Sequence, residues 1–211
     1  MKVFIGYDPR QPIAFQVLAH SIWKRASKPV EIIRLQLNQL PIQRRGLTEF
    51  TYSRFLVPYL CGYKGEAVFM DADMLCLGDI HELMREQLAA VSVVKNKMRF
   101  EWPSMMVFLN SACRILTPEY VDNAANSCFK FEWASGVGEV DSAWNHLVGY
   151  DEPRPDAKLV HFTKGVPVWP ETQNCEYAEE WKKDAKESFS SVPWADLMGK
   201  SVHAATMKAA A

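Results

Sequence analysis

The segment that decides the fold is residues 66–73, with the sequence EAVFMDAD. A short apolar run that ends abruptly in two acids indicates a buried parallel strand that delivers carboxylates at its carboxyl end. That edge is where open α/β sheets bind ligands. Residues two apart on an extended chain point the same way, so Asp71 and Asp73 can both reach one hard cation through oxygen atoms. The segment therefore predicts a metal that bridges a diphosphate.

The two acids also have a plainer interpretation. They fit a solvated turn, or a cap for the short helix that residues 79–83 begin. Spacing alone leaves both interpretations open. The rest of the chain has to decide between them.

Length and composition describe a globular protein. The chain has 211 residues, of which 48% are hydrophobic and 23% are charged, so it can bury a full core, most simply as one domain. Its formal net charge is −1, and it has no basic block that would serve as an electrostatic footprint for nucleic acid. An anionic ligand therefore has to be met by local cations.

The cysteines and the N-terminus bear on the compartment. The cysteines number five, an odd count, and none are in CxxC spacing, which argues against a disulfide framework and a thiolate zinc site. The apolar run at the N-terminus, VFI at 3–5, is too short for a signal-peptide core or a spanning helix. We expect a reducing, cytoplasmic compartment and no membrane anchor.

The remaining pattern alternates strands with helices. Besides residues 67–70, the expected strands cover residues 2–7, 30–35, 89–95, 105–109 and 159–162. The expected helices cover residues 12–25, 52–63, 80–85, 117–128 and 177–186. Pro58 implies a kink or a late start in the second helix, and residues 133–150 are expected to be loop with a short helix or strand. The β-α-β opening predicts a Rossmann-like, parallel sheet without a G-x-G-x-x-G dinucleotide loop.

Taken in order, the motifs resemble those of the GT-A-fold retaining glycosyltransferases, in the family 8-like group of glycogenin and the lipopolysaccharide galactosyl- and glucosyltransferases. The resemblance runs through most of the chain, and the ordered combination is more specific than any one piece. The matching pieces are YD at 7–8, SRF at 53–55, FMDAD at 69–73, WN at 144–145, and VHFTKG at 160–165 followed by Trp169.

The resemblance implies a single α/β domain of GT-A type, with a mostly parallel sheet and flanking helices. We expect this domain to cover residues 1–203, followed by a frayed Ala-rich tail at 204–211. The implied reaction moves a sugar from a nucleotide-sugar donor, UDP-linked by family expectation, to an acceptor hydroxyl with retention. The sequence leaves open the sugar, the base, the acceptor and the oligomeric state.

The resemblance also assigns the metal. Asp71, Asp73 and His161 would hold Mn²⁺, with Mg²⁺ as the alternative, on the donor diphosphate. Two carboxylates and an imidazole suit a divalent first-row ion, and the histidine favours manganese over magnesium. On its own, His161 would more often be a satisfied histidine at a strand end.

Contacts to the donor follow from the same resemblance. Tyr7 and Asp8 would contact the nucleoside, and Arg54 would lie near the diphosphate and the acids. Lys164, with the Gly165 backbone beside it, would hold the leaving phosphates, because fixed positive charge must meet the negative charge that develops there. Taken alone, Lys164 would be an ordinary surface lysine.

Two departures from the family pattern affect the sugar contacts. The strand that usually carries Asn-Ser-Gly reads WPSMM at 102–106, and the late motif has its lysine before the glycine. Glu139 and Asp141, just before Trp144, are the acids expected near the sugar. Four tryptophans are candidates for stacking on sugar rings, with a core role as the alternative for each. They are Trp102, Trp133, Trp144 and Trp169.

Two other functions fit parts of the pattern. Phosphatases of the haloacid dehalogenase type also place Asp-x-Asp after a strand, but there a Thr or Val normally stands where this chain has Leu75, and the motif lies on the first strand. A nucleotide- or sugar-binding module without turnover is the second alternative. A phosphatase assay separates the first from a transferase, and donor hydrolysis with manganese separates the second.

Overall fold

Strands and helices alternate through the computed structural model, which describes residues 1–84 and 89–189. The strands are β1 (Lys2–Gly6), β2 (Glu31–Leu35), β3 (Glu66–Met70), β4 (Met74–Cys76), β5 (Val91–Val93), β6 (Met105–Leu109), β7 (Val137–Glu139), β8 (His146–Leu147) and β9 (Leu159–His161). The α-helices are α1 (Pro12–Arg25), α2 (Val57–Leu60), α3 (Pro118–Asp122) and α4 (Ala178–Ser188). The chain is a single domain of mixed α/β type, as the sequence predicts.

The larger sheet holds six strands in the order β2-β1-β3-β6-β5-β7. β1 is parallel to β2 and β3, and β5 is parallel to β7, whereas β6 runs antiparallel to both of its neighbours. All strands of this sheet except β6 therefore run the same way. The prediction of a mostly parallel, Rossmann-like sheet is confirmed, with one reversed strand at its centre.

The central strand β3 is buried on both faces, which explains its unbroken apolar sequence. Val68 and Met70 pack with the buried face of α1 in one hydrophobic cluster. Ala67 and Phe69, which point the other way, belong to a second cluster on the opposite face. The residues from Ala67 to Met70 have no measurable exposure, so the carboxylates that follow emerge directly from the core.

A small second sheet has the order β4-β9-β8. β4 pairs antiparallel with β9, and the register sets Met74 opposite His161. The sequence pattern does not predict β4, because the three residues MLC at 74–76 are too short a run to indicate a strand. This small sheet brings the late histidine back to the acidic turn.

Several predicted elements differ in extent from those observed. The helix expected over residues 52–63 is a 3₁₀ turn, Ser53–Leu56, followed by α2, and Pro58 lies in the first turn of α2, so the late start is confirmed. The helix expected over 80–85 is a 3₁₀ turn at Ile80–Met84, with residue 85 outside the described residues. The tail at 204–211 also lies outside them.

The helix expected over residues 117–128 is wrong in length, since α3 ends at Asp122. The chain leaves the helix at Asn123, whose side chain accepts a hydrogen bond from the backbone of Ala125. Asn side chains that bond to nearby backbone compete with helix continuation. The Arg44 guanidinium also donates to the carbonyls of Val121, Asn123 and Asn126, which satisfies the end of the helix.

The five cysteines are all free, in agreement with the prediction of no disulfide framework. Among the described residues, no helix has both the length and the apolar character needed to cross a membrane.

Candidate active site

The three predicted metal ligands lie together at the carboxyl edge of β3. Asp71 follows the strand directly, and its backbone N–H donates to the Ser104 carbonyl at 2.8 Å. Asp73 precedes β4, and its carbonyl accepts from the Phe162 N–H at 2.9 Å. The β4–β9 pairing therefore fixes His161 beside the turn. One ligand atom from each of Asp71, Asp73 and His161 lies within 4.8 Å of the others.

Arg54 is buried beneath this cluster as the partner of Asp71. Its Nη2 lies 3.0 Å from Asp71 Oδ1, and its Nη1 lies 3.4 Å from Oδ2. Two further donors are taken by backbone, since Nη1 donates to the Pro103 carbonyl at 2.9 Å and Nε to the Phe50 carbonyl at 3.3 Å. The side chain is only 8% exposed. The structure thus brings Arg54 to the acids, as predicted, in the geometry of a structural ion pair.

Burial and charge act against each other in the cluster. Burial raises the pKa of Asp71 to about 7, although the Arg54 charge opposes the rise. Burial works in the same direction on Asp73, but the His161 imidazole outweighs it, and the pKa of Asp73 lies below its ordinary value. Burial works to lower the pKa of His161, and the neighbouring carboxylates, Asp73 first among them, outweigh it and raise that pKa. The site is therefore short of positive charge.

Glu101 joins this cluster although the sequence analysis does not select it. Its Oε2 lies 3.8 Å from His161 Nδ1, its side chain is 14% exposed, and burial raises its pKa. It precedes β6, and β6 is antiparallel to β3 with Met105 opposite Met70. The residues before β6 consequently sit at the same edge as Asp71. The sequence does show an acid, Glu101, shortly before the buried strand β6. That pattern places Glu101 at the edge of Asp71 only if β6 is known to run antiparallel to β3.

A cleft of about 400 Å³ opens beside the cluster. Its lining includes Asp8, Arg10 and Phe50 on one side and Asp73, Gly165 and Trp169 on the other. Asp8 is mostly buried, and its Oδ1 and Oδ2 accept from Arg10 Nε and Nη2 at 2.9 and 2.5 Å. Arg10 is the only cation among the described residues that line the cleft. Two of the predicted donor contacts, Asp8 and Gly165, thus share one cleft with Asp73.

Tyr7 and Lys164 lie next to the cleft rather than in its lining. The Tyr7 ring packs edge-on against Phe15 at 5.7 Å and lies under the Arg34 guanidinium at 4.6 Å. Lys164 lines an adjacent pocket of about 250 Å³, where its Nζ is 5.1 Å from the Tyr150 ring centre and 3.5 Å from the Gly149 carbonyl. Both residues border the site without reaching the cluster.

Gly165 connects the two pockets and has a backbone that favours glycine. Its φ is +105°, and an added Cβ would lie 3.3 Å from the Trp169 ring. A larger residue would be strained there and would crowd the wall of the cleft.

The structure does not bring Glu139 and Asp141 to the cluster. Both are exposed, and β7, which ends at Glu139, is separated from β3 by two intervening strands. At the usual strand spacing this is a distance of about 14 Å. Asp141 Oδ1 accepts from the Ala143 N–H at 2.8 Å, so this carboxylate caps the 3₁₀ turn that carries Trp144.

The tryptophans divide between core and cleft. Trp133 and Trp144 are 5% and 3% exposed and pack in the hydrophobic clusters. Trp102 is half-buried and donates its Nε1–H to the Asn96 carbonyl at 3.0 Å. Trp169 is 52% exposed and lines the cleft, so of the four it is the one available for stacking beside Asp73.

No family model matches the chain. Protein CDI of Arabidopsis thaliana is 33% identical over 225 residues, an alignment that covers 88% of this chain and 86% of that protein. At this level of identity and coverage the two chains are members of one family.

Solved structures share the fold at much lower identity. The bifunctional glycosyltransferase WbbM matches with a TM-score of 0.65 at 16% identity over 92% of this chain, which spans 50% of the WbbM chain. The galactosyltransferase LgtC matches with a TM-score of 0.61 at 12% identity, covering 92% of this chain and 98% of LgtC. GlyE of Streptococcus pneumoniae matches with a TM-score of 0.66 at 12% identity, covering 87% of this chain and 59% of GlyE.

These likenesses establish the architecture, and the predicted GT-A fold is confirmed. This chain belongs to the family of Protein CDI, and its fold is the GT-A fold of the family 8-like glycosyltransferases.

Proposed function

We propose that this protein is a metal-dependent glycosyltransferase that moves a sugar from a nucleotide-sugar donor, UDP-linked, to an acceptor hydroxyl with retention of configuration. The observation that carries the proposal is the convergence of Asp71, Asp73 and His161 within 4.8 Å at the edge of a GT-A sheet. These residues come from two separate parts of the sequence, and Asp73 lines a cleft of about 400 Å³, a size that accommodates a small ligand.

The residues of the cluster fit a divalent cation. Asp71 Oδ1 and His161 Nδ1 are buried and have no hydrogen-bond partner among the described residues, where Asp71 Oδ1 contacts Arg54 as an ion pair. Three carboxylates, with Glu101 as the third, face one permanent cation. Carboxylate oxygens and an imidazole are donors that suit Mn²⁺ or Mg²⁺, with the imidazole favouring Mn²⁺. When bound, the ion would supply positive charge beside the leaving diphosphate.

The cleft supplies groups for the rest of the donor. Asp8 offers carboxylate oxygens to a ribose or a base once Arg10 turns away, and Trp169 offers an exposed ring for stacking. Tyr7 borders the nucleoside end. Gly165 leaves backbone accessible to the phosphates, and two cations could turn toward them, Arg10 from the cleft lining and Lys164 from the adjacent pocket. Arg54 acts through Asp71, which it holds in place.

The bond between the anomeric carbon and the diphosphate oxygen breaks, and its electron pair leaves with the nucleoside diphosphate. The acceptor oxygen forms the new bond to the same carbon, and its hydroxyl proton passes to the departing phosphate oxygen. Negative charge grows on the diphosphate in this step, so preorganised positive charge at the cleft accelerates it. Glu139 and Asp141 would serve the sugar only through a ligand that extends along the sheet edge toward β7.

The phosphatase alternative requires Asp71 as a free nucleophile. Its side chain is 12% exposed and ion-paired with Arg54, which disfavours attack on a phosphate. The binding module without turnover uses the same residues as a transferase, so only activity separates the two.

A thermal-shift panel tests the proposal. The protein is melted with UDP, GDP, ADP or CDP, each with and without Mn²⁺, and a ligand at a hundred times its Kd should stabilise by about 2.7 kcal/mol. We expect a shift with UDP that requires Mn²⁺ and is absent from Asp73→Asn. Glu179→Gln, on the exposed face of α4, serves as the matched control. UDP release from UDP-glucose and UDP-galactose then measures turnover; binding without release would support the binding module, and no metal-dependent shift would contradict the proposal.

A further inference from the structure

The two ring nitrogens of His161 face two different carboxylates. Nε2 lies 3.4 Å from Asp73 Oδ1, and Nδ1 lies 3.8 Å from Glu101 Oε2. The histidine side chain is only 3% exposed, and it stands on β9, whose pairing with β4 fixes its backbone. The ring therefore lies between the acidic turn that follows β3 and the acid that precedes β6.

Nε2 is the nitrogen of His161 that fits a metal ligand. Two ligand atoms at neighbouring positions of an octahedral ion, with bonds of about 2.1 Å, lie about 3 Å apart, which is close to the separation of Nε2 from Asp73 Oδ1. A histidine binds a metal as neutral imidazole, so Nδ1 has to carry the remaining proton. Nδ1 is buried and has no hydrogen-bond partner among the described residues. A proton there needs an acceptor.

Glu101 supplies the carboxylate that faces Nδ1. The distance between Oε2 and Nδ1, 3.8 Å, exceeds a usual hydrogen bond by about 1 Å, and rotation about the side-chain torsions of Glu101 can close this gap. Hydrogen bonds at such sites are often long without ligand and tighten when the site is filled. Glu101 is not in the group of Asp71, Asp73 and His161, whose ligand atoms lie within 4.8 Å of one another. Its place is therefore behind the histidine and outside the set of ligands.

Buried hydrogen bonds hold the backbone that carries Glu101. Ser104 Oγ donates to the Glu101 carbonyl at 2.5 Å, and Asn145 Nδ2 donates to Ser104 Oγ at 2.9 Å. Ser104 and Asn145 are both buried. The Asp71 N–H donates to the Ser104 carbonyl at 2.8 Å, so the same turn is tied to the first acid of the cluster. Asn145, from the WN pair at 144–145, thus supports the turn from which Glu101 reaches the histidine.

We propose that Glu101 is a positioning residue for the metal site: its carboxylate accepts the Nδ1 proton of His161, which fixes the tautomer and the plane of the ring with Nε2 directed at the ion. The inference rests on the proposed function for the metal, while the contact between Glu101 and His161 is a property of the protein alone. A carboxylate that bonds the far nitrogen of a metal-bound histidine orients the ring and raises its basicity, and its loss typically costs about 10- to 100-fold in metal affinity.

Nitrogen-15 NMR of the metal-free full chain, labelled at histidine, tests the contact. We expect a slowly exchanging Nδ1–H resonance for His161 that persists in Glu101→Gln, whose amide oxygen still accepts, and is lost in Glu101→Leu. The His161 signals are those absent from His161→Gln. His146 is the internal control, because it is also fully buried and its Nε2 lies 2.9 Å from Glu176 Oε2; its signals should be the same in every variant. Absence of the Nδ1–H resonance in the parent, or its persistence in Glu101→Leu, would overturn the inference.

Titration of Mn²⁺, with and without UDP and followed by electron paramagnetic resonance of the free ion, tests the role of Glu101 toward the metal. Both substitutions remove the charge of Glu101, so the difference between them isolates its part as a hydrogen-bond acceptor. We expect Glu101→Leu to bind Mn²⁺ at least tenfold more weakly than Glu101→Gln. Equal affinities would mean that Glu101 contributes charge alone, and a loss in Glu101→Gln as large as in Asp73→Asn would make it a direct ligand. Either result would overturn the inference.

Failure of the proposed function is seen separately. A parent that binds no Mn²⁺, alone or with UDP, would contradict the proposed function and with it the role of Glu101 toward a metal, whereas the NMR result would still decide whether Glu101 holds the ring. The NMR measurement on the parent also decides the contact if Glu101→Leu does not fold.

Discussion

Two clusters among the residues that the structure describes combine a histidine with acids at metal-ligand distances, and only one of them has a surplus of negative charge. Asp71, Asp73 and His161 form the first, and Asp184, Glu187 and His20 form the second, where α4 packs on α1. In the second, Lys24 lies 2.8 Å from Asp184 and 2.5 Å from Glu187, and Arg25 lies 2.5 Å from Asp184. In this second cluster two cations therefore neutralise two carboxylates.

The first cluster has the opposite balance, since Arg54 alone faces the carboxylates of Asp71, Asp73 and Glu101. Residue type and proximity are therefore the same in both places, while net charge differs. The surplus of negative charge next to the cleft fits the proposed cation site, whereas the neutralised cluster fits a structural role in joining α1 and α4.

The largest expected effect is on stability, from Asp184→Asn. Asp184 is fully buried, and breaking a buried pair leaves its partners uncompensated, at a typical cost of about 3 kcal/mol. Chemical denaturation at pH 7 measures the loss. Glu179→Gln, which breaks an exposed pair on the same helix, should leave the stability unchanged. Asp184→Asn should also retain metal-dependent nucleotide binding; loss of both would mean that the two clusters are not independent.

The stability difference between Asp184→Asn and the parent should also depend on pH. Burial works to raise the pKa of Asp184, but hydrogen bonds from Arg25 and Lys24 outweigh it and hold the pKa below its ordinary value. A carboxyl with a depressed folded pKa contributes stability above its unfolded pKa of about 3.9, and the contribution is lost as the pH falls through the folded pKa. The gap between parent and Asp184→Asn should thus be constant from pH 5 to 7 and close below about pH 4.

The next largest effect is expected from Arg54→Ala, because this substitution should change both the stability and the proposed metal site. The sequence suggests a donor contact, whereas the observed geometry makes Arg54 the buried partner of Asp71. We expect a loss of about 2–3 kcal/mol in the free energy of unfolding. In the Asp71→Asn background the same change should cost less, since no buried charge is then left unpaired, and a double-mutant cycle measures the difference. Equal costs in the two backgrounds would contradict the pairing.

Asp73→Asn should act on ligand binding alone. It removes a charged ligand at a sheet edge where the side chain is 30% exposed, so the melting temperature without metal should stay near the parental value. Mn²⁺-dependent UDP binding should weaken at least a hundredfold, or about 2.7 kcal/mol. Calorimetric titration of UDP with and without Mn²⁺ measures it, and His161→Ala should weaken Mn²⁺ binding in the same assay whatever nucleotide is present.

The elements with strong periodicity or clear end signals were predictable from the sequence. The bounds of α1 are predictable because Pro12 marks its first turn and its apolar residues repeat at helical spacing. The metal-ligand set came from the acidic end of β3 together with a family resemblance. The bounds of α1 depend on local pattern alone, whereas the approach of His161 to the acids depends on the β4–β9 pairing, which the resemblance implies and no local pattern encodes.

What the sequence did not reveal depends on pairing between distant segments. Glu101 was missed because β6 is antiparallel, and a wholly parallel sheet would have put the residues before it at the far edge. β4 was missed because three residues carry too little periodicity. Glu139 follows a short edge strand whose place in the order β6-β5-β7 no local pattern encodes, so its distance from Asp71 could not be read from the chain.

The smallest expected effect comes from Lys164→Ala, which tests whether the late loop holds the leaving group. A fully preorganised donor to a developing charge is worth about a hundredfold or more in turnover. Lys164 is not preorganised: its Nζ makes only a 3.5 Å contact with Gly149 and lies over Tyr150, so it must swing toward the diphosphate. We therefore expect about a tenfold loss in the rate of UDP release, or about 1.4 kcal/mol, with Mn²⁺ affinity intact.

Arg10→Ala is the companion variant, because Arg10 already lies in the cleft but is held by Asp8. A larger loss in Arg10→Ala than in Lys164→Ala would assign the leaving group to Arg10, and a parental rate in Lys164→Ala would remove the late loop from the reaction.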